Sequence, residues 1–462
     1  MKMNKILLAI LAMGTTAGVA QAQVNLVNND GSELSVYGIL DAGLVQMTNA
    51  GNISPNFVTG AVPIGGVVGP TQKVGTVRGM MNGGESQSRW GIKGSEDLGD
   101  GNKAFFQLES AIDVGTGQLS TSGLSGANGT AGVAVNASRN MTADTSLNGQ
   151  LFNRNAFIGL SNKDMGAVSF GRQNSLQLDV ITTTGGGYDP VNAQMFSPIN
   201  FSGSYGGGGA TDNARVDNAI KYANKYGNFN VNALIALGGV ANSASARNSA
   251  QLNAGYEASN FGVQAAAQQA HDTTAINPGT VTGGAGTGLT AGTYAAGAGT
   301  VNAQFENLTS YMLAGRYQVT DPLVLKAGIE RIEISAPSDF PADKGIGTIY
   351  SYTVATASAF GVHQRDLNVY WLGANYDVSS KTKVSVGYYD VEAPSGTGNG
   401  LGTGATTISG SDKYFSAMVE YNLSKKTNVY AAFMQEKVSG SMIATPTFTT
   451  FNTYGAGLRV KF

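Results

Sequence analysis

Apolar and polar residues alternate at a period of two along nearly the whole of this 462-residue chain. The alternation comes in segments of about ten residues separated by turn chemistry. Near the C-terminus Tyr454, Ala456, Leu458, Val460 and Phe462 share one face, and Thr453, Gly455, Gly457, Arg459 and Lys461 share the other. Leu252, Ala254 and Tyr256 alternate with Gln251, Asn253 and Gly255. Trp90 and Ile92 oppose Arg89 and Lys93, while Phe106 and Leu108 oppose Phe105, Gln107 and Glu109. Val216, Ile220 and Tyr222 oppose Arg215, Asp217, Ala219 and Lys221. A strand sends successive side chains to opposite faces, so these segments build a sheet that is apolar on one side and polar on the other.

The pattern predicts sixteen strands. The first eight lie near 35–48, 88–94, 103–113, 151–161, 166–173, 214–224, 229–238 and 249–258. The second eight lie near 261–271, 307–319, 323–334, 364–378, 382–392, 411–423, 427–438 and 452–462. Short polar connectors alternate with long ones rich in Gly, Ser, Thr, Asn and Ala, near 49–87, 114–150, 174–213, 239–248, 272–306, 335–363, 393–410 and 439–451. Both chain ends then fall on the short-turn side. Tyr222, Phe229, Tyr256, Phe261, Tyr317, Tyr376, Tyr421 and Phe462 cluster beside the short turns, as an aromatic girdle at a membrane interface does. A β-sandwich need not put all its long loops at one end, and a β-solenoid repeats its sequence at a fixed period, which this chain does not.

Hydrocarbon leaves no backbone amide unpaired without penalty, so a sheet that crosses it must close on itself. Eight strands would fill their own interior, whereas sixteen enclose an aqueous channel. The expected fold is therefore all-β: a transmembrane, antiparallel, up-and-down barrel of sixteen strands, apolar outside and polar inside. On the inward parity lie Asp41, Lys93, Glu109, Lys221, Arg316, Lys326, Glu330, Glu420, Arg459 and Lys461, which a water-lined face explains. The other inward positions are mostly small, amide or charged.

Composition agrees. Only 13% of residues are charged, as expected where half of each strand meets lipid. Lysine and arginine total 28 against 30 acidic residues, which argues against a nucleic-acid partner. The absence of cysteine excludes thiolate metal sites, disulfides and thiol nucleophiles. Two histidines, His271 and His363, fall in or beside long loops, and no cofactor or metal site is expected. No Gly-x-Ser-x-Gly is present to support a lipase-type barrel, and an enzyme is not expected. Residues 1–22 combine Lys2 and Lys5, an apolar run from Ile6 to Ala12, and Ala20-Gln21-Ala22. They are expected to be a cleaved secretory signal, too short to span, leaving 23–462 as one barrel domain.

Several stretches together are similar to the Gram-negative general porins, in particular those of β-proteobacteria. They are Val36-Tyr37-Gly38-Ile39-Leu40-Asp41-Ala42-Gly43, then Ser88-Arg89-Trp90-Gly91-Ile92-Lys93-Gly94-Ser95-Glu96-Asp97-Leu98-Gly99 and Ala104-Phe105-Phe106-Gln107-Leu108-Glu109. Arg154-Asn155-Ala156-Phe157-Ile158-Gly159-Leu160, Phe170-Gly171-Arg172-Gln173, Arg215-Val216-Asp217-Asn218-Ala219-Ile220-Lys221-Tyr222 and the closing Val460-Lys461-Phe462 follow in order. The resemblance implies a homotrimer in the outer membrane of a Gram-negative bacterium, surrounded by lipid and lipopolysaccharide. It implies a water-filled pore in each subunit for small hydrophilic solutes and inorganic ions. It also implies that the third long loop folds inward to narrow that pore.

The resemblance further implies a constriction with arginines on the wall and carboxylates on the loop. The matching wall residues are Arg89, Arg154 and Arg215, with Arg172 as a fourth candidate. Asp189, in Gly187-Tyr188-Asp189-Pro190, is the best match on the loop, which also carries Asp179 and Asp212. More arginine than carboxylate predicts a preference for anions. The alternatives are a solute-specific porin, which would need an aromatic slide or a dense site in the lumen, and a surface adhesin with long extracellular loops.

Overall fold

The computed structural model describes residues 23–29, 31–50, 75–115, 117, 119, 151–199, 214–239, 242, 245, 248–282, 300–335, 348–349, 352–356, 365–398, 406–440 and 449–462. The signal segment 1–22, His363, Asp212, most of the loop at 114–150 and residues 283–299 of the stretch 272–306 lie outside the described residues.

Twenty strands, one α-helix and a short 3-10 turn (Thr184–Gly186) are described. In chain order they begin β1 (Gln23–Asn29), β2 (Ser32–Ala50), β3 (Gly75–Asn82), β4 (Arg89–Gly99), β5 (Asn102–Ala111), β6 (Ala156–Asn162) and β7 (Gly166–Asn174). The helix α1 (Leu176–Thr182) follows, then β8 (Arg215–Tyr226), β9 (Phe229–Ala236), β10 (Ser249–Glu257), β11 (Phe261–Thr282), β12 (Thr300–Thr320) and β13 (Leu323–Ser335). The chain ends with β14 (Thr348–Ile349), β15 (Tyr352–Thr356), β16 (Arg365–Asp377), β17 (Thr382–Gly398), β18 (Thr406–Asn422), β19 (Thr427–Gly440) and β20 (Thr450–Lys461).

Sixteen wall positions close into a barrel. Each strand pairs antiparallel with the next, and β2 closes the ring on β20 from Ile39↔Lys461 to Met47↔Thr453. Backbone bonds between Gly38 and Phe462 seal the join. β3 and β4 occupy one position together, pairing with the later and earlier halves of β2. β1 and the pair β14–β15 are additions to this ring.

Most wall strands fall where the period-two pattern predicts them, but β6 begins at Ala156 rather than near 151, and β11 runs on to Thr282 and β12 starts at Thr300, inside a stretch expected to be loop. Another difference is β3, which lies inside the stretch 49–87 expected to be loop. Its alternation stops at Gly83, where residues 83–88 leave the wall and re-enter at Arg89. A further difference is at Asn218, whose φ of 52° marks a bulge. Register slips there relative to β7, so Val216 is buried and Asp217 exposed, contrary to an unbroken alternation.

The outward face is apolar: Leu44, Ile158, Leu160, Leu252, Leu313, Ile329, Leu372, Val419 and Leu458 are all exposed. Among the described residues no helix is long and apolar enough to cross a membrane. Aromatic residues beside the short turns sit opposite one another across the strands, Phe229 facing Tyr256 and Phe261 facing Tyr317. The Phe229 and Tyr256 rings meet at 4.8 Å, and Tyr256 stacks on Phe261 at 5.4 Å.

The third long loop folds inward. Ser175 caps α1 by accepting from the Leu178 N–H at 3.2 Å. The chain then crosses the lumen and reaches residue 199. Leu178, Val180, Ile181, Tyr188, Val191, Met195, Phe196 and Ile199 of the loop form one buried cluster with inward residues of β2, β3 and the wall from β11 to β19. Trp371, Tyr389 and Tyr414 stand in cross-strand register beneath it. Gly328 makes room for the Trp371 ring, since any Cβ there would collide with it. This half of the inner face thus carries an apolar patch under the loop, set among the small, amide and charged residues expected from the sequence, such as Ser310, Lys326, Glu330, Asn375, Asp412 and Glu436. A loop lying on it removes that apolar surface from water, which is favourable by roughly 25 cal/mol per Å².

Candidate functional site

The strands of the opposite half bring the predicted arginines together. Arg89 opens β4, Arg215 opens β8, and Arg154 stands just before β6. Their common partner is Glu109 of β5. Arg154 donates from Nε to Glu109 Oε1 at 2.5 Å and from Nη1 to Gln87 Oε1. Arg89 Nε lies 3.5 Å from Glu109 Oε2. Arg215 is fully buried and close enough to act on Glu109 electrostatically. Tyr37 adds a hydrogen bond to Glu109 Oε2 at 2.9 Å, and Gln107 donates in turn to Tyr37 at 2.6 Å. Ionised donors and acceptors make the stronger hydrogen bonds, and a carboxylate accepting from several of them is held rigidly.

Arg172 stands beside this group. It donates to the Asn153 carbonyl at 2.9 Å and to Asp217 Oδ1 at 2.6 Å. Asn153 accepts from the Ala111 N–H at 2.8 Å, so Arg172 braces the segment that presents Arg154.

Asp189 lies elsewhere. Its carboxyl accepts from Tyr389 of β17 at 2.6 Å and from the Val191 N–H at 3.2 Å, and it is fully buried. Lys326 donates to its backbone carbonyl at 3.1 Å. Burial pushes the Asp189 carboxyl above the ordinary carboxylate range. Next to it, Trp371 donates to the Tyr188 carbonyl at 3.0 Å and Asn375 to the Pro190 carbonyl at 2.6 Å. The structure therefore gives Asp189 a fastening role on the far wall, where the sequence suggested a carboxylate facing the arginines. The loop's Asp179 is also engaged, in an ion pair with Lys221.

Three further groups were not legible as site residues. Glu109 was read as ordinary water-lined wall; its inward parity with Arg89 was the available signal. Glu85 sits in the excursion at 83–88, where no periodicity marks it. It pairs with Arg459 and accepts from Asn428 at 2.8 Å, while Asp41 accepts from Tyr430 at 2.6 Å and from the Ser86 N–H at 2.6 Å. The excursion meets the end of the loop through Gln194 N–H to the Glu85 carbonyl, 3.2 Å, and Met195 N–H to the Gly84 carbonyl, 3.1 Å. Glu257 accepts from Tyr188 at 2.5 Å and from Arg316 at 2.8 Å, clamping the loop at the short-turn end of β10.

Comparisons with known proteins follow the same lines. Residues 8–441 match the family model described as Gram-negative porin. An outer membrane porin protein of Bordetella pertussis is 30% identical over 224 residues, 48% of this chain and 44% of that protein. The match spans less than half the length of that relative. Among solved structures, an anion-selective porin from Comamonas acidovorans aligns with a TM-score of 0.58 at 17% identity, over 93% of this chain and 100% of its own. OmpT of Vibrio cholerae in its trimer form aligns at 0.53 and 15%, over 94% and 100%. OmpF of Salmonella typhi, in a complex with daunomycin, aligns at 0.52 and 15%, over 95% and 100%.

Proposed function

The chain belongs to the Gram-negative porin family, and from that premise we propose that it forms a water-filled channel of the outer membrane for passive diffusion of small hydrophilic solutes and ions, with a preference for anions. Family membership supports a channel rather than an enzyme. The observation that carries the anion preference is the placement of charge around the loop. Arg89, Arg154 and Arg215 gather on one wall, while both acids of the described part of the loop are engaged away from them, Asp179 by Lys221 and Asp189 by Tyr389. A guanidinium stays charged at any working pH. At 4 Å and an effective dielectric of about 20, one unit charge acts on a passing ion with about 4 kcal/mol, several times thermal energy. The sign of the charge gathered at a narrow place therefore decides which ions cross.

The solved anion-selective and trimeric neighbours are compatible with this reading, and the molecule is proposed to work as a homotrimer in contact with lipid and lipopolysaccharide. The test is the reversal potential of planar bilayers in a salt gradient. Wild type is expected to favour chloride over potassium. Arg154→Ala combined with Arg215→Ala is expected to lower or invert that preference. Cation preference in the wild type would overturn the reading.

A further inference from the structure

On the outer surface of the barrel, toward the long loops, Lys413 of β18 and Lys437 of β19 stand directly opposite each other. Their sequence neighbours Asp412 and Glu436 are buried on the inward side, so both lysines point outward. Like charges in this position destabilise a strand pair. Lys413 has a partner, Asp390 of β17, at 2.9 Å. Lys437 is exposed and has no carboxylate partner among the described residues. Strands of a closed barrel tilt, so a band at one height steps along them from β18 to β3. On β3 it reaches Arg78, which is exposed and donates from Nε to the neutral Gln46 at 2.8 Å. Between the lysines and Arg78, Gln435 donates to Asn452 at 2.9 Å. Among the described residues no acid of β18, β19, β20, β2 or β3 faces outward in this band. Just nearer the membrane centre lies a row of rings. Phe415 and Phe433 are 6.5 Å apart, and Phe433 and Tyr454 are 5.1 Å apart.

The neighbouring face carries the opposite sign. On β13, β16 and β17 the band holds Glu333, Asp366, Asp390 and Glu392. Arg331 lies among them and is bound to Glu333 at 2.7 Å and to Asp366 at 2.8 Å. The outer rim is thus basic on one side and acidic on the other. Aromatic side chains mark the level where hydrocarbon gives way to headgroups, and the basic side chains lie just beyond them. A doubly anionic headgroup placed between Lys413 and Lys437 removes their mutual repulsion. Lysine is a compact charge with three donors, which suits phosphate. A free phosphate gains the cations alone. A phosphorylated lipid gains the cations and also lays its acyl chains on the rings, and two such signals together are what stable membrane attachment takes.

We infer that the outer face from β18 to β3 is a seat for the phosphorylated headgroup of lipid A, with its phosphates on Lys413, Lys437 and Arg78 and its chains along Phe415, Phe433 and Tyr454. The inference rests on the proposed contact with lipopolysaccharide and says which side of the barrel makes it. The test uses the native oligomer, stripped of lipid in detergent with EDTA present. Bisphosphorylated lipid A is titrated in, and bound lipid is counted by native mass spectrometry. Wild type is expected to bind saturably. Lys413→Gln combined with Lys437→Gln is expected to weaken binding about tenfold, and Arg78→Gln about fivefold. Arg331→Gln, which removes the same charge from the acidic side, is expected to change it little. Lipid A stripped of its phosphates is expected to bind about tenfold more weakly than the phosphorylated form. Equal weakening by Arg331→Gln overturns the seat, since affinity then follows net charge alone. Equal binding of phosphate-free lipid A or of phosphatidylglycerol also overturns it. Binding that appears only when Mg²⁺ is added places the lipid on the carboxylates and overturns it as well. If the double variant fails to give the heat-modifiable band of a folded barrel, Lys437→Gln and Arg78→Gln decide. Absence of any salt current from wild type in planar bilayers overturns the channel reading and leaves the seat standing.

Discussion

The two halves of the inner wall solve different problems. From β4 to β8 the wall is held by charge: Arg89, Arg154 and Arg215 gather on Glu109, with Tyr37, Gln87 and Gln107 completing the network. From β12 to β19 the wall carries an apolar patch among its polar and charged residues, and a loop lies on it with Phe196, Met195, Ile199 and Leu178 fully buried. Charged side chains held just behind the lumen surface, Arg89 partly exposed among them, can act on ions through a low dielectric. Apolar side chains facing water cannot persist uncovered, so the loop covers them. The loop is thereby fixed by burial over a broad area, and its two acids serve as local fasteners. On the proposed reading, one half would govern which solutes cross and the other how wide the path stays.

Substitutions can break this division. The largest effect is expected from Phe196→Ala, which opens a cavity under the loop and weakens its docking by about 3–5 kcal/mol. Single-channel recording should then show larger or less stable conductance with unchanged ion preference. A changed reversal potential would break the division of labour. Glu109→Gln keeps the shape of the hub and removes its charge, with an expected loss of about 1.5–3 kcal/mol because its hydrogen bonds are to charged groups. Its anion preference should rise and its conductance stay near wild type.

A pH effect is expected on the loop side. The docked loop retains a proton on Asp189 that the undocked loop releases, because burial raises that carboxyl. Docking is then strongest below the ordinary aspartate value of about 3.9 and weakens as pH rises through the raised one. Cleavage of the loop by a soluble protease should increase across that window, and Asp189→Asn should remove the dependence. The smallest effect is expected from Tyr37→Phe, which removes the hydroxyl that donates to Glu109 and accepts from Gln107, a loss of about 1.5 kcal/mol. Thermal unfolding of the detergent-solubilised barrel should detect it, with little change in reversal potential.

Much of the barrel is legible locally. Strands such as β10 and β20 carry their face in strict alternation, and a strand needs only its neighbours to pair. The bulge at Asn218 was not legible, since an extra residue in one strand is visible only against its partner. Motif resemblance singles out Arg89, Arg154 and Arg215 as candidates, but leaves Glu109 as ordinary wall. Its role comes from three side chains on different strands converging on it, and no linear spacing encodes that. Asp189 was correctly placed on the inward loop and given the wrong neighbour, because the course of a loop across a lumen follows from what it buries.

The sequence by itself determined the closed sheet, its two faces and the side of the short turns, because a period of two and the requirement to pair every amide in lipid leave few alternatives. Only the tertiary structure decided which inward charges meet, where residues 83–88 step off the wall, and which half of the lumen the loop covers. Those outcomes depend on contacts between residues far apart in the chain, such as Asp41 with Tyr430 and Asp189 with Tyr389, whose partners are chosen by shape and burial once the ring has closed.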